Sequence, residues 1–135
     1  MAKDKRGGRS LRTQPYNEYD VIGTANGGKI KVIKAKPGVN NASVPQFSNS
    51  KNTTYFVAKE VNGVNTVTSI AVYRNRNVIY NIDIDPTGGN HYHQWQPVSV
   101  RGKSKLQKGK KHLYNLSPAQ QRLVSMANNW NNGGN

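Results

Sequence analysis

Residues 77–95 read Asn77-Val-Ile-Tyr-Asn-Ile-Asp83-Ile-Asp85-Pro-Thr-Gly-Gly-Asn90-His91-Tyr92-His93-Gln94-Trp95. Apolar and polar residues alternate through 77–85, so an extended backbone sends Val78, Tyr80, Ile82 and Ile84 to one face and Asn81, Asp83 and Asp85 to the other. Residues 86–90 combine proline, two glycines and asparagine, which end a strand and turn the chain. Residues 91–98 then read as the returning strand, with His91, His93 and Trp95 on one face. The stretch therefore predicts an antiparallel hairpin, and it gathers two of the three histidines and two of the six acidic residues in the chain.

Upstream of this hairpin the same pattern repeats. Residues 53–61 and 64–73 are rich in β-branched and aromatic residues, and Asn62-Gly63 between them tolerates the positive φ of a type I′ turn. Residues 28–36 read as a further strand, with Ile30 and Val32 on one face and lysines mainly on the other. Residues 37–52 read as a loop. Downstream, residues 101–112 hold six Lys or Arg in twelve positions and read as a cationic loop. Ser117-Pro118-Ala119-Gln120 has the capping-box pattern with proline at the first helical position. Ala119, Leu123, Met126, Ala127 and Trp130 would form the stripe of that helix that packs on a sheet. The predicted fold is α+β: a meander of about five antiparallel strands with a C-terminal helix packed on it. One domain over residues 16–130 is expected, preceded by a flexible basic arm over 1–15 and followed by a disordered tail over 131–135.

Composition limits the function. Twenty Lys and Arg against six Asp and Glu give a formal charge of +14, which favours nucleic acid, an anionic membrane or an acidic protein as partner. With no cysteine there are neither disulfides nor thiolate metal sites. No apolar run is long enough to span a bilayer and no cationic amphipathic face is large enough to disrupt one, so membrane insertion is not expected. No phosphate-loop, dinucleotide or Ser-His-Asp pattern is present.

Histidine beside a cationic segment suits RNA cleavage. RNA carries its own nucleophile, so the enzyme needs a base for the 2′-hydroxyl proton, an acid for the leaving oxygen and cations for the phosphate charge. His91 and His93 are the candidate acid and base, with Asp83 or Asp85 orienting an imidazole. Arg101, Lys103, Lys105 and His112 are candidate phosphate contacts, and Trp95 and Tyr92 could stack on unpaired bases. No cofactor or metal is required on this reading. The same residues also admit a zinc-dependent hydrolase with His91, His93 and His112 as ligands. In a third reading the domain binds nucleic acid without cleaving it. In the plainest, the histidines are solvated and Trp95 is core.

In its size, its cysteine-free basic chain, its β-meander ending in a Gly-rich turn and the strand Asn90-His91-Tyr92-His93-Gln94-Trp95, residues 28–112 resemble the C-terminal toxin domains of bacterial polymorphic and contact-dependent toxins. The likeness is to small ribonucleases of the barnase, EndoU, colicin and RelE-like class. It implies a metal-independent endoribonuclease acting as an antibacterial toxin on RNA, or alternatively DNA. It also implies delivery by a secretion system into the cytoplasm of a target cell, and an acidic immunity protein in the producer.

Overall fold

The computed structural model describes residues 18–38 and 44–134. The basic arm expected over 1–15 lies outside the described residues. Seven strands form one mixed sheet: β1 (Tyr19–Ala25), β2 (Ile30–Ala35), β3 (Thr53–Val61), β4 (Val64–Arg74), β5 (Asn77–Asp83), β6 (His91–Val100) and β7 (Lys103–Lys108). Their spatial order is their order in sequence, followed by one helix, α1 (Pro118–Asn131). The expectation of α+β architecture holds, but two strands are added to the predicted five and β2 pairs with β3 in parallel. Among the described residues, no helix is long and apolar enough to cross a membrane.

Turn chemistry joins the strands. Asn62-Gly63, Asn75-Arg76 and Arg101-Gly102 all take positive φ at both positions, the requirement of two-residue turns whose twist matches the flanking strands. The last of these corrects the reading of 101–112 as a loop. Residues 103–108 pair with β6 from Val100↔Lys103 to Trp95↔Lys108, and Leu106 is buried.

Three register shifts distribute apolar side chains between the two faces. Tyr73 pairs with Val78 but its neighbour Val72 pairs with Tyr80, leaving Ile79 as an extra residue in β5. Val78 therefore joins the cluster of Tyr19, Ile33, Tyr55, Tyr73, Trp95 and Leu106, while Ile82 and Tyr80 join the opposite cluster with Val32, Phe56, Val67 and Ile70. A strict alternation from Val78 to Ile84 is thus broken by one bulge. Beyond it the alternation resumes, and Asn81 and Asp83 face the same side as Trp95.

Helix α1 covers the second cluster. Ser117 and Gln120 form the capping box, each side chain meeting the other residue's backbone N–H. The predicted stripe packs on the cluster at Leu123, Met126, Ala127 and Trp130, joined by the buried Gln120 and Val124, while Ala119 is exposed. The helix runs to Asn131, and Asn132, Gly133 and Gly134 add backbone hydrogen bonds to its last turn. Asn131 grips β4: its Nδ2 donates to the Val67 carbonyl at 3.1 Å and its Oδ1 accepts from the Val67 N–H at 2.7 Å. Val67 is buried beside a bulge, where this N–H has no water to turn to. Asn131→Ala is expected to cost about 1–3 kcal/mol, the penalty for an unsatisfied buried donor, read as a lower midpoint in urea unfolding at constant slope.

Candidate functional site

The site is built on the sheet face opposite α1, at the junction of β4, β5, β6 and the segment that follows β7. Strand alternation points His91, His93 and Trp95 to this face, and pairing sets Asp83 opposite His91 and Asn81 opposite His93. The hairpin predicted from residues 77–95 thus has its carboxylate and its imidazoles on the same side. Asp83 Oδ2 lies 3.4 Å from His91 Nε2 and 3.2 Å from His93 Nε2.

Each of these side chains is held from behind. His91 Nδ1 lies 2.9 Å from the Gly89 carbonyl and His93 Nδ1 lies 2.8 Å from the Gly109 carbonyl. A carbonyl can only accept, so both Nδ1 atoms carry hydrogen and both Nε2 atoms are turned to the carboxylate. Asp83 Oδ1 accepts from Ser69 Oγ at 2.6 Å and from Asn81 Nδ2 at 3.0 Å, which leaves Oδ2 for the histidines. Trp95 Nε1 donates to Asn81 Oδ1 at 2.8 Å and fixes that amide. Asn81 is 1% exposed, His91 and His93 5% each. Burial lowers the His93 pKa. Next in weight, the hydrogen bond to Gly109 opposes the shift; the charge of Lys108 adds to it, Asp83 opposes it and His112 adds to it.

His112 arrives from a distance in sequence. Trp95 pairs with Lys108 and Tyr92 bridges to Leu113, so residues 108–113 take five steps along an edge where β6 takes three. The surplus loops outward and lays the exposed His112 ring on His91, with centroids 4.1 Å apart and planes 4° from parallel. His93 meets His112 edge-on at 4.8 Å. One ring nitrogen of each histidine lies within 4.8 Å of the other two.

Gly109 anchors this loop, its N–H donating to Gln94 O at 2.7 Å. A Cβ at this position would sit 2.7 Å from the same oxygen, closer than such contacts occur. Gly109→Ala is therefore expected to force the backbone apart at the carbonyl that orients His93 and to destabilise the domain, read as a lower midpoint in urea unfolding; an unchanged midpoint would show that this edge yields freely.

The remaining candidates separate from this cluster. Asp85 lies past the end of β5 and serves the turn: its Oδ1 accepts from Gly88 N–H, Thr87 Oγ1 and Thr87 N–H. Those bonds, led by Gly88 N–H, lower its pKa. It lines the same cleft as Asp83 and His91. Trp95 is 8% exposed and packed in the core, so the expectation that it stacks on a base is corrected: it supports Asn81 instead. Tyr92 points to the opposite face, edge-on to Tyr80. Arg101 stands at the far turn of β6, eight residues from His93, or roughly 26 Å along the strand at about 3.3 Å per residue. Lys103 and Lys105 alternate with the buried Leu106 and so face away from the histidines.

Lys108, which the sequence did not single out, is the cation beside the histidines. It lines a cleft of about 320 Å³ with Asp83, His91, Ser69 and Lys59. It also borders a second cleft of about 450 Å³ with Gln94, Gln96, Lys110 and Lys111. The alternation that buries Leu106 is the signal that would have pointed Lys108 to the histidine face, once residues 103–108 are read as a strand. Compared with known protein families, curated proteins and solved structures, the chain matches none of them.

Proposed function

We propose that this protein is a nuclease that cleaves RNA at the cluster of His91, His93, His112 and Asp83. The observation that carries the reading is the grouping of three imidazoles and one carboxylate, of which His91 and Asp83 line a cleft together with Lys108, in a chain of formal charge +14. In such cleavage the 2′-oxygen attacks phosphorus as its proton passes to a base. The bond to the 5′-oxygen breaks, and that oxygen takes a proton. Lys108 is placed to offset charge on the phosphate. An antibacterial toxin role, with delivery into a target cell and an acidic immunity protein as partner, is part of the proposal. The charge and the resemblance of the histidine strand support it.

A specific observation favours a metal-dependent version over the metal-independent one expected from the sequence. A metal-free mechanism sets base and acid on opposite sides of the scissile phosphate. His91 and His93 instead turn Nε2 to the same carboxylate oxygen, which leaves the exposed His112 as the imidazole on the solvent side. The test is incubation of total RNA with folded protein in parallel arms, one with zinc and one with EDTA. Fragments in either arm, absent with His93→Ala, support the nuclease. Intact RNA in both arms would retire it and leave a non-enzymatic nucleic-acid-binding domain, whose binding would weaken steeply with salt.

A further inference from the structure

His91, His93 and Asp83 bring three atoms of metal-ligand type together. Both Nδ1 atoms are held by backbone carbonyls, and both Nε2 atoms turn to Asp83 Oδ2, from 3.4 and 3.2 Å. One divalent ion among these atoms would be attracted to the carboxylate and accept a lone pair from each ring.

The two separations from the carboxylate suit that ion. Two ligands each about 2.0–2.1 Å from a tetrahedral centre stand about 3.3 Å apart, and the Asp83–His91 and Asp83–His93 separations bracket that value. The surroundings match as well. Ligating histidines characteristically donate their other ring nitrogen to a carbonyl or carboxylate, and ligating carboxylates are themselves hydrogen-bonded. Gly89 and Gly109 supply the carbonyls, while Ser69 and Asn81 hold Asp83 Oδ1. Two imidazoles and one carboxylate oxygen select a borderline first-row ion rather than magnesium or calcium, which prefer oxygen-only shells.

We propose that His91 Nε2, His93 Nε2 and Asp83 Oδ2 bind one divalent transition-metal ion, best matched by zinc, with a fourth position open beside His112. His112 stays outside the trio because its ring lies flat on His91 instead of pointing at the centre. Three protein ligands and one open position are the pattern of zinc sites that do chemistry, whereas structural sites are closed by four. The cleft lined by Lys108 and His91 gives that open position access to an anionic ligand. The inference goes beyond the nuclease reading, because the ion would bind whether or not RNA is cleaved.

Zinc binding to the full chain, stripped with a chelator and titrated by calorimetry without nucleic acid, tests the proposal. The expected result is one zinc per chain and a raised melting temperature. His93→Ala and Asp83→Asn should each weaken binding by more than the ~10–100-fold that loss of an outer partner costs, and Ser69→Ala by about tenfold. His112→Ala should leave binding within a few-fold. Circular dichroism of each metal-free variant establishes that it is folded, and Asp83→Asn is close enough in shape to serve if His93→Ala is not. A folded wild type that binds no zinc at millimolar concentration would overturn the site. So would zinc binding unchanged in folded Asp83→Asn and Ser69→Ala. Zinc bound with RNA left intact would overturn the nuclease alone, and RNA cut in EDTA by a protein that binds no zinc would overturn the metal site alone.

Discussion

His93→Ala is expected to lower RNA cleavage by more than ~100-fold, since loss of even an outer partner of a metal ligand costs about 10–100-fold in activity. The effect should be this large because His93 has several connections in the cluster. Its Nδ1 is tied to Gly109, its Nε2 meets Asp83, and its ring edge meets His112. Removal leaves Asp83 with one imidazole where it had two. His93→Gln separates shape from chemistry, since glutamine fills similar space without an imidazole nitrogen to turn to Asp83. A loss as deep as that of alanine assigns the effect to the imidazole, while near-complete recovery would remove His93 from the chemistry. Gel electrophoresis of RNA over a range of enzyme concentrations reads the difference directly.

Trp95→Ala carries the largest expected effect on stability, about 3–5 kcal/mol, as for other buried aromatic residues cut to alanine. Against a total of roughly 5–15 kcal/mol for a domain, that is enough to leave much of the population unfolded near physiological temperature. Two terms combine. The indole fills the cluster between Tyr73, Val78 and Leu106, and its N–H satisfies Asn81 Oδ1. Trp95→Phe keeps most of the packing and removes only the hydrogen bond, so about 1–3 kcal/mol of loss is expected there. The phenylalanine variant should also loosen Asp83 through Asn81, giving weaker activity at a stability above that of the alanine variant. Urea unfolding of both variants separates the packing and polar contributions. Equal losses would mean that the Asn81 contact accounts for the whole effect.

The reach of sequence reasoning differed by element for physical reasons. Where alternation was clean and a turn was chemically obligatory, as at Asn62-Gly63 and through residues 77–95, strands were legible almost to the residue. Strand β1 was not, because Gly23 sits under the Trp130 ring and Ile22 is an extra residue at a bulge, so no regular period survives. Strand β7 has a single buried apolar residue, Leu106, and five exposed or half-exposed polar ones. Such an edge strand is held by its partner's backbone, and its lysines also discourage other chains from pairing there. Misreading it as a loop led directly to the wrong cations: Arg101, Lys103 and Lys105 are in the same segment as Lys108, but only strand alternation separates them. In the candidate site, the pairing of Asp83 with the histidines depended on a register that no single-strand pattern carries. The distance between His93 and His112 depended on the outward loop at 109–112.

The lone parallel contact, between β2 and β3, has a consequence for the order of assembly. Every other neighbouring pair of strands is joined by a short turn and can zip up locally, whereas β2 and β3 are separated by residues 36–52 and share only four paired positions, Lys31↔Tyr55 to Lys34↔Ala58. Closing that span costs chain entropy before any contact repays it. The meander from β3 to β7, which holds His91, His93 and Asp83, can therefore take shape before the β1–β2 hairpin docks on it. Amide exchange is expected to show β1 and β2 opening together ahead of the strands that carry the histidine cluster. The cluster would then outlast the margin of its own sheet.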